Sequence, residues 1–104
     1  MSSHLLLIRP PAADGSPRAV PLRLLFLASV AERSGWSMRV IDFAVQRLDF
    51  GVFADILMSS AATVVVIDCE TADAPESYRL ARFVKMVSPG GRVAFVGPHS
   101  KAMT

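Results

Sequence analysis

Thr63-Val64-Val65-Val66-Ile67 is the stretch on which the fold turns. Four consecutive β-branched apolar residues with no polar alternation read as a strand covered on both faces, the pattern of a central strand in a parallel sheet. Leu5 to Ile8 is a second wholly apolar run, stopped by Arg9-Pro10-Pro11. Met38 to Ile41 and Arg92 to Val96 supply two further strands.

The segments between these runs have helical spacing. Pro21 opens one helix, a position that tolerates the missing N–H. Leu22, Leu25, Phe26 and Ser29-Val30 follow the helical repeat, and Gly35 closes the segment. Phe50 to Ser60 forms a second helix with Asp49 as its cap and Phe53, Ile56 and Leu57 on one face. Pro75 begins a third, with Tyr78, Ala81-Arg82 and Lys85-Met86 at helical intervals, and Ser88-Pro89-Gly90-Gly91 ends it. Residues 10–20 hold three of the chain's prolines between the first strand and the first helix, and a loop of that length points to function or mobility. Strand-helix three times and then a strand predicts a three-layer, doubly wound α/β fold, flavodoxin-like or Rossmann-like. Its parallel sheet has the order 2-1-3-4.

A chain of 104 residues is expected to be one domain, 1–104. Its hydrophobic fraction of 52% and mean hydropathy of +0.42, against 19% charged residues, imply a sheet buried on both faces or apolar surface covered by a partner. The net charge of +2 comes from scattered arginines with no basic run and no interleaved aromatics, so nucleic acid is not an expected partner. No apolar run reaches the ~18–20 residues that span a bilayer. No basic segment precedes Leu5, so the start reads as a strand and the cytoplasm is the expected compartment.

Ligands in such sheets bind at the carboxyl ends of the strands, beside the switch point between strands one and three. The residues there are Arg9-Pro10-Pro11, Asp42, Asp68-Cys69-Glu70-Thr71 and Gly97-Pro98-His99-Ser100. A dinucleotide site needs a Gly-x-Gly-x-x-Gly turn after the first strand, and Arg-Pro-Pro stands in its place. A phosphate-receiver site could use Asp68 as acceptor but lacks the acids that hold Mg²⁺. The lone Cys69 excludes an internal disulfide and an iron–sulfur cluster within this chain. Its neighbours Asp68 and Glu70 raise a thiol pKa, which favours an inert core residue. With only His4 and His99, a zinc site is not expected, and His99-Ser100 lacks the third member of a triad.

Four motifs in order resemble the amino-terminal cobalamin-binding domain of radical SAM enzymes. Leu5-Leu-Leu-Ile-Arg-Pro-Pro11 is similar to that family's first strand and Asn-Pro-Pro turn. Pro21-Leu22-Arg23-Leu24-Leu25-Phe26-Leu27-Ala28 resembles its Pro-Leu-Gly-Leu-Leu-Tyr-Leu-Ala helix start. Ser34 to Asp42 follows its Ala-Gly-His-x-Val-x-Val-x-Asp pattern, and Val96-Gly97-Pro98-His99 its Gly-Gly-Pro-His. The resemblance implies cobalamin (vitamin B12) over the carboxyl edge with its nucleotide tail reaching inward. The implied contacts are Pro10, Pro11, Glu70, Thr71, Ala72, Gly97, Pro98 and His99, with no catalytic residue in this chain.

Arg23 and Val96 stand where the family pattern has glycine, which crowds the tail pocket, and Asp68, Glu70 and Asp73 add negative charge beside it. No Asp-x-His-x-x-Gly follows the first strand, so the cobalt-ligating histidine of methyltransferase-type domains is missing. The family pattern continues past the equivalent of Thr104 into another helix, a fifth strand and the radical SAM barrel, and the expectation is therefore a domain incomplete at its carboxyl end. The apolar fourth strand would then be an open edge for a second copy or a catalytic partner chain. The rival expectation is a cofactor-free interaction domain that kept the fold and pairs through that edge.

Overall fold

The computed structural model describes residues 4–60 and 64–97. It contains β1 (His4–Arg9), α1 (Leu22–Arg33), β2 (Ser37–Asp42), α2 (Phe50–Ser60), β3 (Val64–Asp68), a 3-10 turn (Thr71–Asp73), α3 (Ala74–Val87) and β4 (Arg92–Val96). The four strands form one parallel sheet in the order β2-β1-β3-β4, as the alternation of strand and helix predicts. The switch point lies between β1 and β3. There the connection from β1 turns outward to β2 while the chain later returns to the other side.

The two central strands are apolar because both of their faces are covered. Leu6 and Ile8 face α2 and α3 in a core with Phe53, Leu57, Leu80 and Val84. Leu7, from the other face, packs with Leu24, Ala28 and Val66. The rings of Phe43, Phe53 and Phe83 join the first core edge-on and stacked, with centroids 5.3 and 5.6 Å apart.

Local chemistry sets the helix ends. Asp49 Oδ1 accepts the N–H groups of Gly51 and Val52 at 2.9 and 3.1 Å, the expected cap of α2. Gly35 takes a φ of +83° after the last turn of α1, a left-handed conformation costly for any residue with a Cβ. Pro21 occupies the cap position of α1, one residue before the first helical turn.

The helical row legible in α1 turns out to be its outward row, and the row in α3 runs from the half-buried Tyr78 and Ala81 to an exposed end. In α1 the core takes Leu24, Ala28 and Ala31, while Leu22 and Phe26 remain 74% and 69% exposed. In α3 the buried line is Ala74, Ser77, Leu80 and Val84, and Lys85 and Met86 face outward. Both faces of α1 are apolar, so periodicity alone cannot choose between them. In α2 the expected face is the buried one.

Among the described residues, no helix is long and apolar enough to cross a membrane. Phe53→Ala should cost about 3–5 kcal/mol of stability because it empties a site in the larger core. Met58→Ala, on an exposed position of the same helix, should stay within ~0.5 kcal/mol. Urea unfolding of the two variants beside the parent measures both.

Candidate functional site

The carboxyl ends of β1 and β3 open into a crevice of about 430 Å³. Its walls come from the end of β1, the loop before α1, the first turn of α1 and the segment after β3. Pro10, Glu70 and Ala72, three of the expected contact residues, line it. Pro11 and Thr71 lie outside this lining, and Gly97 borders the same region through Arg23 and Asp68. Pro98 and His99 lie outside the described residues, as does Ser100.

Ion pairs organise the crevice. The β1–β2 register sets Arg9 directly opposite Asp42. There Nε and Nη2 of Arg9 donate to the two carboxylate oxygens at 2.9 and 2.7 Å. Such a two-pronged pair holds the guanidinium plane in one orientation. It aims Nη1 at the carbonyl of Ala19, 2.5 Å away. A buried side chain on β1 thereby fastens the far end of the loop that leads into α1.

Asp73 fastens the middle of that loop. Its carboxylate accepts the N–H of Ala13 at 3.0 Å and two bonds from Arg18, at 2.9 and 3.3 Å. Burial acts to raise the Asp73 carboxyl. The Arg18 and Ala13 hydrogen bonds and the Arg18 charge outweigh it, so the group ends below its ordinary range. Arg18 also reaches Asp14 at 3.4 Å and donates to the Ser16 hydroxyl. The long loop is a strapped wall.

Arg23 stands across the crevice. From the first turn of α1 its Nη1 donates to Asp68 Oδ1 at 2.5 Å and to Glu70 Oε1 at 2.9 Å. The Asp68 side chain is only 6% exposed, and burial raises its carboxyl more than the Arg23 charge and hydrogen bond lower it. Glu70 is 46% exposed and Arg23 37% exposed, which makes this the open end of the network. Gly97 packs against the bridge with a φ of +117°. A Cβ there would sit 2.9 Å from both Arg23 Nη1 and the Cys69 carbonyl. The three acids that read as added negative charge are each matched by an arginine.

The thiol beside the crevice is not an accessible nucleophile. Cys69 is fully buried, and that burial pushes its thiol up by more than its contacts with Ser77 and Tyr78 lower it, so it stays protonated at neutral pH. Among the described residues no group of three His, Cys, Asp or Glu side chains is placed to hold a metal ion. Arg18 is the site residue least visible in the sequence. Its hint was the excess of acids after strand three, Asp73 among them, each of which needs a cation once buried.

No protein-family model matches the chain, and no curated protein matches it.

Gly97→Ala should destabilise the fold by roughly 1–3 kcal/mol, from the strained φ and the contact with the Arg23 bridge, as read by urea unfolding. Asp73 has a lowered folded-state pKa, so its contribution is complete above the unfolded carboxylate value of about 3.9 and is lost as the pH falls through the folded value. Asp73→Asn should therefore be less stable than the parent at pH 7, with the gap closing in strong acid, as followed by thermal melts across pH.

Proposed function

We propose that this chain is a non-catalytic binding module of the cobalamin-binding type, which takes the phosphate-bearing nucleotide tail of its ligand in the crevice at the switch point. The observation that carries the reading is the crevice itself. It opens where the strand order reverses, and Pro10, Glu70 and Ala72 wall it, as the resemblance in the β1, α1 and β4 motifs implies. A volume of about 430 Å³ is within the range of small-molecule sites and suits a tail, with the corrin ring left outside over the sheet edge.

The donor chemistry fits such a tail. Arg23 is the most exposed of the three crevice guanidiniums in ion pairs, and one of its two carboxylates, Glu70, is itself half exposed. A phosphate can take the place of Glu70 at Arg23 while Asp68 keeps the guanidinium oriented. Pro10 and Ala72 provide small apolar walls for a planar base. Bound cobalamin supplies cobalt-centred methyl-transfer or radical chemistry. The residues of this chain hold and orient it, and a separate catalytic domain would act on it.

The Arg23 bridge favours a second reading. It closes the tail space of the isolated chain, and β4 is a sheet edge paired on one side only, as in an interaction domain without a cofactor.

Titration with hydroxocobalamin, followed by visible absorbance and gel filtration, separates the two. The binding module should co-elute with one cobalamin per chain, and Arg23→Glu should weaken retention at least tenfold with an unchanged circular dichroism spectrum. No retention by either protein at ~100 µM, well above the micromolar range of an ordinary specific site, would leave the interaction domain as the account.

A further inference from the structure

The two faces of the sheet are covered unequally. One carries α2 and α3. The other carries α1 alone, which lies over β1 and β2. On that face Val66 of β3 is buried against Leu24 and Ala28, Val64 and Val96 are only partly buried, and alternation along β4 puts Arg92 and Ala94, both exposed, beside them. The part of this face that α1 does not lie over is two strands wide, about 9.6 Å at ~4.8 Å per strand. Neighbouring helices pack at ~8–10 Å, so the opening admits one helix.

Among the described helices, α1 exposes the most large apolar side chains. Leu22, Leu25, Phe26 and Val30 of α1 are 74%, 43%, 69% and 45% exposed, on the side opposite Leu24, Ala28 and Ala31. Ser29 and Arg33 are the polar residues of that side. A helix apolar all round belongs in an interior.

We infer that two copies of this chain pair face to face, each α1 filling the uncovered β3–β4 half of the other sheet. The symmetry closes. A two-fold axis midway between the sheets and parallel to the strands carries α1 from above β1 and β2 to above β3 and β4 of the second copy. The two helices then lie side by side in one shared layer, and the contact is isologous.

Charge and area agree with this arrangement. α1 runs against the strands, since Arg23 at its start meets Asp68 at the end of β3. The same axis brings Glu32, near the end of α1, toward Arg92 at the start of the second copy's β4. Both are exposed, and neither side chain has an ion-pair partner within the chain among the described residues. With large apolar side chains carrying on the order of 150–200 Å² each, the outward row and the open half-sheet present roughly 650 Å² per copy. Two copies would bury roughly 1,300 Å², inside the ~1,200–2,000 Å² of stable interfaces. The surface is the α1 layer, not the β4 edge, and of its outward row only Leu22 also lines the crevice.

Sedimentation equilibrium of the full chain between about 1 and 100 µM tests this. A dimer is expected, and Phe26→Glu and Ala94→Glu should each convert it to monomer with an unchanged circular dichroism spectrum. Glu32→Arg and Arg92→Glu should each weaken it at least tenfold, and the two together should restore it. A monomeric parent at 100 µM, a dimer that survives both glutamate substitutions as edge pairing would, or a charge reversal that fails to restore would each overturn the proposal.

Discussion

The burial of β1 and β3 on both faces is the constraint from which the remaining architecture follows. Leu6, Leu7, Ile8, Val65 and Ile67 are at most 2% exposed, so two central strands need an apolar cover above and below at once. Parallel pairing requires a crossover between successive strands, and among the described residues the α-helices are all crossovers. Three crossovers cannot cover two faces evenly. The face with α2 and α3 builds the larger core, and the face with α1 is left half open.

The carboxyl edge shows the same logic in charge. Parallel strands end together, so whatever side chains follow them are brought to one rim. Here that rim collects Arg9, Asp42, Asp68 and Glu70, the loop before α1 adds Arg18, and the first turn of α1 adds Arg23. Half-buried carboxylates are tolerable when each has a guanidinium, and the pairs in turn fasten the loop through Ala13 and Ala19. A crevice with fastened walls results, and the Arg23–Glu70 pair stands at its open end.

Much of this was legible in the residues. The apolar runs at 5–8 and 64–67 identify central strands, Asp49 and Gly35 mark helix ends, and the strand order follows from alternation and the hand of crossovers. The position of the site follows from that order. The identity of its working side chains did not follow so far. Pro10, Glu70 and Ala72 line the crevice as expected, whereas Arg18 and Asp73 are 55 positions apart and meet only because the loop folds back over the end of the sheet.

By itself the sequence determined which segments are strands and helices, because periodicity, β-branching and capping act between near neighbours. It also determined the sheet order, because parallel crossovers leave few topologies. Only the tertiary structure decided which side of α1 faces the core. Leu22, Leu25, Phe26 and Val30 form as good an apolar row as Leu24, Ala28 and Ala31, and the choice falls to the smaller set because alanines let the helix approach the sheet closely. It alone also decided the ion pairing at the rim, since electrostatic partners are selected by proximity across the sheet edge and leave no local trace along the chain.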